Sequence, residues 1–249
     1  MKCLTALLVL FPVLAHCQAS PQEMMMQGLY KIGQAEKVKI TTTGSEFRGG
    51  RQIDIKVTAA FYYQPESDVV KLEVLSWEDG KLISRQAADG NRLWDFDARA
   101  NTFSSSDYKD SQGGLYRNWK QRVFHTLRLR TTGCTAFTLR ILDDVFGTGL
   151  ASGSWSPWIP TAQVARMGAN IVATAQTPNK NRTLYSFSGN DDVGFTFLGA
   201  EYDQEFDKGG LEKIWSTQIE TGTLFDDTDF RFIPPKGAKA IAVDSRLGG

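Results

Sequence analysis

The sequence is poor in the residues that supply most metal and nucleophile chemistry. It has two histidines and three cysteines in 249 residues, and Cys3, His16 and Cys17 all fall near the N-terminus. His125 and Cys134 are left for the rest of the chain. Because no Cys/His cluster has zinc-ligand spacing, no metal site is predicted. One remaining cysteine also excludes an internal disulfide framework.

An excess of charge of either sign is absent too. Lys+Arg and Asp+Glu both number 28, so the formal net charge is zero. A balanced chain has no long-range field that would draw it to a polyanion. The composition therefore gives no indication of a nucleic-acid partner.

Known catalytic and nucleotide-binding motifs are missing as well. The sequence has no phosphate-binding loop, dinucleotide glycine signature or HExxH motif, so no cofactor is predicted. Ser152 lacks the spacing of a nucleophile elbow. Adjacent aspartates are predicted as turn acids, since Asp favours turns. These pairs are Asp143-Asp144, Asp191-Asp192 and Asp226-Asp227. We therefore expect no catalytic residue and no enzyme, with a hydrolase using an acid pair as the less favoured alternative.

The N-terminus has the pattern of an export signal. Lys2 is followed by an apolar run over Leu4–Leu14 and then by small residues up to Ser20. That run is too short for a membrane-spanning helix and typical of a signal peptide. We expect residues 1–19 to be removed, and residues 20–249 to fold as a single domain in the periplasm. As an alternative, the residues before Cys17 resemble a lipoprotein cleavage box, which would anchor Cys17 to the envelope membrane.

The first half of the mature chain reads as one helix followed by an antiparallel meander. Met25, Leu29 and Ile32 recur at helical spacing, which predicts a helix from Gln22 to about Lys37. Short alternating segments follow, separated by turn residues that include Asp79-Gly80 and Asp89-Gly90, both expected to form two-residue hairpin turns. The predicted strands are Val38–Phe47, Arg51–Tyr63, Val69–Trp77, Leu82–Ala88, Arg92–Asp97 and Asn101–Tyr108.

A helical insert at about 113–148 is predicted to interrupt the strands. Its two helices are expected over Leu115–Leu129, with Gly133 as a stop, and over Thr135–Phe146. Strands return in the last third of the chain. They are predicted at Ile171–Ala175, Arg182–Ser188, Val193–Tyr202, Leu211–Thr221 and Asp229–Ile233.

Together these elements predict a mainly β protein with helices, of the α+β class. We expect one curved antiparallel sheet, an incomplete β-barrel covered by a few helices. Few helices cannot seal so wide a sheet, which leaves room for an apolar ligand cavity, but the residues alone favour a core filled by side chains, since large apolar residues are usually inside. The candidate lining residues are Phe61, Tyr63, Leu72, Val74, Trp94, Phe96, Phe195, Phe197 and Trp215. Trp119, Trp155 and Trp158 are candidates for a cavity lip or a peripheral membrane contact.

Three stretches of the chain resemble a known family. They are Ala60–Pro65 followed by Val70–Glu73, the hairpin Asp89–Phe96 with its Asp-Gly-Asn-Arg-Leu-Trp-Asp-Phe order, and the C-terminal Asp229–Ala238 with its paired prolines. Their sequence and order resemble the outer-membrane lipoprotein carrier (LolA/LolB-like) superfamily. The resemblance spans most of the mature chain as a layout of short motifs.

The resemblance implies an incomplete β-barrel whose cavity takes the acyl chains of lipids or lipoproteins. Gln64 stands where the carriers have an arginine before the turn proline, so lipid binding is implied more strongly than lipoprotein shuttling. An alternative function on the same fold is an envelope protein-interaction or stress-sensing module that recognises a segment of a partner protein.

Overall fold

The computed structural model describes residues 20–108, 133–146, 162–176, 181–190, 194–205, 211–222, 225–226 and 228–242. Its elements in chain order are α1 Pro21–Gly33, β1 Lys37–Arg48, β2 Arg51–Gln64, β3 Val69–Glu78, β4 Lys81–Ala88, β5 Arg92–Asp97, β6 Thr102–Asp107, α2 Gly133–Phe146, β7 Gln163–Met167, β8 Asn170–Gln176, β9 Arg182–Asn190, β10 Gly194–Glu205, β11 Leu211–Thr221 and β12 Lys239–Ala240. The predicted signal at 1–19, the helix Leu115–Leu129 and the tryptophans Trp119, Trp155 and Trp158 lie outside the described residues.

The strands form one sheet rather than two. Its order is β12-β6-β5-β4-β3-β2-β1-β11-β10-β9-β8-β7, so the two meanders meet where β1 pairs with β11. All pairings are antiparallel except the short parallel contact between β12 and β6. The end strands β12 and β7 are not neighbours, which leaves the sheet open. The predicted mainly β fold built on one open antiparallel sheet is confirmed.

Hairpin turns set the register of the first meander. Gly49 and Gly50 have φ values of 57° and 81°, and Asp79 and Gly80 have 46° and 75°. Two successive left-handed residues fit the right-handed twist of the flanking strands, which explains these tight turns. The expected two-residue turn at Asp89-Gly90 is instead a three-residue loop. There, Asp89 Oδ1 accepts hydrogen bonds from the backbone N–H groups of Asn91 and Arg92, both at 2.9 Å.

Helix α1 begins as the sequence suggests and ends sooner. Ser20 caps it, and Glu23 completes a capping box with the Ser20 backbone. The predicted end near Lys37 is wrong, because the helix stops at Gly33 and Lys37 already pairs with Tyr62 in the sheet. Sheet pairing therefore overrides local helical spacing at this point.

The sheet curves around its two described helices. Twelve strands at about 4.8 Å spacing would span roughly 50 Å if flat, whereas α1 is about 20 Å long. Yet α1 packs against β7, β8 and β10, and it also packs against α2, which lies on β1 and β2. Residues from β1–β4, from both helices and from β8–β10 belong to one buried cluster. Only a bent sheet can bring all of these strands into contact with two helices as short as α1 and α2.

The surface that the helices cover is called the concave face here, and it is mostly apolar. In β1, three residues of the concave face are fully buried, namely Val38, Ile40 and Thr42. The register carries this face into the neighbouring strands, where residues two apart point the same way. The further members with buried side chains are Ile53, Ile55, Val57, Ala59, Phe61, Val70, Leu72, Val74, Ala88, Ile171, Ala173, Tyr185, Phe187 and Ala200.

The opposite, convex face is crossed by the C-terminal residues 228–242, named here the C-terminal strap. Phe230 lies over Tyr62 of β2, with ring centroids 6.4 Å apart. Phe232 packs among three aromatic rings of β5 and β6 at 5.7 to 6.2 Å. The strap then joins the sheet edge, where the Ile241 N–H donates to the Phe103 carbonyl at 2.8 Å. It thus seals a second, smaller apolar cluster.

Three local predictions need correction. Asp229–Ile233 is not a strand, because its phenylalanines pack onto the convex face and the prolines that follow lack the N–H that a ladder requires. Helix α2 begins at Gly133, two residues before the predicted start at Thr135, and it includes Asp143-Asp144, which were predicted to lie in a turn. Strand β7 was not predicted, because Gln163–Met167 is short, largely exposed and weakly patterned.

We predict that Phe232→Ala lowers the free energy of unfolding by about 3 kcal/mol, because truncation leaves a cavity under the strap. Urea denaturation followed by circular dichroism measures the change. Ile233→Ala is the matched control, since Ile233 is 72% exposed and should cost less than about 0.5 kcal/mol. Equal losses in the two variants would contradict a sealing role for Phe232.

Candidate functional site on the concave face

The predicted lining residues divide between the two faces of the sheet. Phe61, Leu72 and Val74 lie on the concave face and are buried, and Tyr63 lies half-buried at its margin. Trp215 of β11 also belongs to this face, because it pairs with the concave position Gly44. These five residues contribute to one surface.

Trp94 and Phe96 do not join that surface. Both lie on the convex face, in the separate cluster beneath Phe232. Leu93, one residue earlier, packs against the concave cluster instead. Since neighbouring strand residues point to opposite faces, the assignment of Trp94 and Phe96 to the cavity is corrected. The side chains of Phe195 and Phe197 lie outside the described part of the chain. Ligand binding by any of these residues stays a prediction.

Three aromatic residues form a shelf between α2 and the second meander. Tyr202 of β10 stacks on Trp215, with ring centroids 5.0 Å apart and an interplanar angle of 19°. Phe137 of α2 lies 5.3 Å from Trp215 and 5.6 Å from Tyr202. Tyr202 and Trp215 are only partly buried, although both pack against the main core. This aromatic shelf, Phe137, Tyr202 and Trp215, is therefore an apolar surface at the margin of the core.

The shelf depends on a glycine in the facing strand. A Cβ atom at Gly44 would lie 2.0 Å from the Ile214 carbonyl oxygen and 2.7 Å from Trp215 Cδ1. A side chain at this position would push β1 and β11 apart or displace the indole ring. Gly44 therefore permits the close approach of the two strands that seats Trp215.

Among the described residues, two buried polar atoms near the shelf have no hydrogen-bond partner. They are Trp215 Nε1 and Thr183 Oγ1, and the Thr183 side chain is among the most buried polar groups at 1% exposure. Tyr202 pairs with Thr183 on one side and with Trp215 on the other. The two atoms thus belong to residues that flank Tyr202 in one row across β9, β10 and β11. Unpaired buried polar groups are rare in folded proteins and call for an explanation.

A chain of hydroxyl groups fastens α2 to the sheet beside the shelf. Thr42 and Thr217 lie 2.8 Å apart through their Oγ1 atoms, and Thr138 Oγ1 lies 2.7 Å from Thr42 Oγ1. The Thr138 hydroxyl also lies 2.8 Å from the Cys134 carbonyl oxygen. A hydroxyl carries one hydrogen, so donation from Thr217 to Thr42 to Thr138 to the Cys134 carbonyl satisfies all three groups. This polar chain fixes the position of α2 on an otherwise apolar face.

The first turn of α2 is held by a carboxylate. The Cys134 N–H donates to Glu46 Oε1 at 2.8 Å, where a negative charge suits the positive end of the helix dipole. Glu46 is paired with Arg48, which also binds Glu78 with 2.7 Å between Nη1 and Oε1. Burial raises the pKa of the Cys134 thiol to about 12, and nearby Glu46 adds to this effect. Cys134 is therefore an unreactive core residue rather than a nucleophile.

The carboxylates give no support to a catalytic pair in the described residues. Asp226 is exposed and accepts hydrogen bonds from Thr228, which lower its pKa, as in an ordinary turn. Burial raises the pKa of Glu73, which lies on the convex face 2.6 Å from Arg85. In the same part of the chain, no group of three His, Cys, Asp or Glu side chains could hold a metal ion. No helix described by the structure is long and apolar enough to cross a membrane.

Comparison with known proteins finds similarity among solved structures only. No protein-family model matches the chain, and no curated protein matches it in sequence. The crystal structure of LprF from Mycobacterium bovis aligns with 82% of this chain and 94% of that chain, at a TM-score of 0.39 and 7% sequence identity. This is a distant similarity of fold, too weak to carry an argument about ligand or activity.

We predict that Thr42→Val lowers the free energy of unfolding by about 1–2 kcal/mol, because the isosteric change leaves a buried hydroxyl unpaired. Chemical denaturation measures the loss. Thr43→Val provides the control, since Thr43 is one residue away, exposed and on the convex face. A Thr42→Val variant as stable as the control would show that the hydroxyl chain does not fasten α2.

Proposed function

We propose that the protein binds an apolar ligand, an acyl chain of a lipid or lipidated protein, against the concave face. Under this proposal it is an exported binding protein of the envelope, acting in the periplasm or anchored at Cys17, rather than an enzyme. The sequence supports export through the pattern of residues 1–19. The concave face supports the choice of ligand.

The aromatic shelf is the observation that carries this proposal. A core side chain in a filled interior is normally buried on all sides. Tyr202 and Trp215 are stacked and attached to the core, yet both remain partly accessible. Flat, partly exposed aromatic surfaces beside an apolar core are typical of sites for apolar ligands, since aromatic rings contribute a large contact area.

The distribution of the helical cover supports the same location. Helix α1 packs against β10, β8 and β7, whereas α2 packs against β1 and β2. The shelf lies where α2 meets β10 and β11, next to the boundary between the two covered regions. Half-buried Ile219 continues the apolar surface along β11. An acyl chain placed there would bury apolar area that the described helices leave partly open.

A second function is favoured by the edge of the sheet. Strand β7 pairs with β8 on one side and ends the described sheet on the other, and Met167 is 65% exposed. An open edge of this kind can add a strand from a partner protein. Under this alternative, the concave aromatics would only fill the core and the partner would bind along β7.

Binding of N-phenyl-1-naphthylamine, an uncharged apolar fluorophore, separates the two functions. We expect saturable binding that dodecyl chains displace, and about tenfold weaker binding by Trp215→Ala because a large apolar contact is lost. Trp77→Ala is the matched control, since Trp77 lies half-buried on the convex face, near Lys56. Native mass spectrometry of protein purified from an envelope fraction should show co-purified acyl species.

Failure of the folded wild type to bind the fluorophore, together with a clean apo mass, would overturn the proposal. Equal affinity of the Trp215→Ala and Trp77→Ala variants would remove the shelf from the site. The edge-binding alternative would be favoured if the wild type captured an extended peptide and a substitution in β7 abolished that capture without changing fluorophore binding.

A further inference from the structure

The two edges of the sheet differ in their protection. At one edge, β12 of the C-terminal strap pairs with β6, and the strap contains Pro234 and Pro235. At the other edge, no strand of the described chain lies beyond β7. Strand β7 contains no proline or lysine, and it pairs with β8 over all five residues without a bulge. Proline, lysine and bulges are the usual means by which an edge strand is kept from pairing, so β7 is open to a further strand.

The register of the β7–β8 hairpin determines which main-chain groups of β7 point to the open side. Met167 pairs with Asn170 across a two-residue turn. Residues that flank such a turn exchange hydrogen bonds, and hydrogen-bonded pairs alternate with non-bonded pairs along an antiparallel ladder. Ala165, two residues before Met167, therefore also directs its N–H and C=O groups toward β8. The N–H and C=O groups of Val164 and Arg166 point to the open side.

Apolar side chains are exposed at this edge of the sheet. Four of the five side chains of β7 are exposed, and Met167 is 65% exposed. Helix α1 packs against β7, and its Met26 and Tyr30, one turn apart, are 43% and 68% exposed. Exposed apolar side chains beside an open strand edge favour a contact with another protein chain over continued exposure to water.

A second copy of the chain matches this edge. If two β7 strands pair antiparallel about a two-fold axis at Ala165, all five residues overlap, and Val164 of each copy lies opposite Arg166 of the other. The groups that point to the open side then meet in hydrogen-bonding positions. Ala165 faces its own copy at a non-bonded position, where Cα atoms approach to about 4.5 Å and a small side chain fits. Arg166 is the one charged residue of β7, and this register puts no like charge directly opposite it.

We propose that β7 is a self-association surface, through which two copies of the chain pair antiparallel with Ala165 on the two-fold axis. The sheet then continues from one copy into the other. This inference goes beyond the binding of an apolar ligand and does not depend on it. It names a second copy of the chain where the alternative function places a strand of another protein. Because a five-residue pairing is smaller than a standard interface, we expect a dissociation constant between about 10 µM and 1 mM.

Cysteine substitutions in β7 test both the contact and its register. In a chain with Cys3 and Cys17 replaced by serine and the buried Cys134 retained, Ala165→Cys should form an intermolecular disulfide under mild oxidation, because the two thiols face each other. Gln163→Cys is the matched control. Gln163 is exposed on the same face of β7 but lies about 13 Å along the strand from its own copy in this register. We expect disulfide dimers on non-reducing electrophoresis to form about tenfold faster with Ala165→Cys, since pairing raises the effective concentration of its thiols.

Sedimentation velocity measures the association without oxidation. For the wild type, we expect the weight-average sedimentation coefficient to rise toward the dimer value between about 10 µM and 1 mM. Ala165→Lys should stay monomeric over this range, because two ammonium groups would face each other at the axis. Gln163→Lys adds the same charge on the same face but places it opposite Met167, so it should weaken association less. Circular dichroism checks that each variant is folded.

The outcomes separate this inference from the proposed function. A folded wild type that stays monomeric over the whole concentration range would overturn the β7 pairing, even if its edge captured an extended peptide. Equal rates of disulfide formation by the two cysteine variants, or equal association of the two lysine variants, would overturn the register centred on Ala165. A wild type that associates through β7 but does not bind N-phenyl-1-naphthylamine would support this inference and contradict the binding of an apolar ligand.

Discussion

The pairing of β1 with β11 is the contact on which the structure depends. It joins strands whose facing residues, such as Thr42 and Thr217, are 175 positions apart in the chain. Without it, the two meanders would be separate sheets, each with an exposed inner edge and half of an apolar face. With it, their apolar faces become one concave surface that shares α1 and α2. Gly44 is essential to this contact, because any Cβ atom there would meet the Ile214 backbone.

The candidate site depends on this β1–β11 pairing, which is called the joint below. Trp215 and Thr217 belong to β11, and their neighbours across the joint are Gly44 and Thr42 of β1. The same pairing therefore seats the aromatic shelf and the hydroxyl chain that fastens α2 over it. Residues of β10 and β9 extend the row to Tyr202 and Thr183. The concave face is buried and mostly apolar where α1 and α2 cover it, and it is partly accessible at the aromatic shelf.

On the convex face, the C-terminal strap covers part of the sheet. Phe230 and Phe232 of the strap are buried, although Ile233 immediately after them is exposed. The strap reaches from β2 to β6 and pairs with the outer edge strand. It therefore covers aromatic residues that the helices cannot reach, and it protects part of one sheet edge.

Local sequence signals predicted the strands of the first meander well. The alternation through Val38, Ile40 and Thr42 and the Asp79-Gly80 turn depend only on neighbouring residues. The joint between β1 and β11 has no such signal, since it depends on contacts between distant segments. Trp94 was placed on the wrong face because apolar residues occur on both sides of β5, and a shift of one residue reverses every side chain.

The candidate site was predicted only in part for the same reason. Trp215 stood out as a large residue in a strand, but its stacking on Tyr202 follows from the register of β10 and β11. Phe137 reaches the shelf through the packing of α2, and Thr183 is an ordinary strand residue until its burial is known. For Tyr202, which the sequence analysis missed, the available signal was its position two residues after Ala200, on the same face of the strand.

Cysteine cross-linking across the joint tests the central geometry most directly. Thr41 and Gln218 face each other on the convex side, whereas Glu220 is four residues out of register with Thr43, which pairs with Ser216. In a chain with Cys3 and Cys17 replaced by serine, Thr41→Cys with Gln218→Cys should form an intrachain disulfide under mild oxidation, because facing residues lie within disulfide range. Thr43→Cys with Glu220→Cys should not, since about 13 Å of strand separates them. Equal cross-linking of the two pairs, or none in the first, would contradict a single sheet joined at β1 and β11.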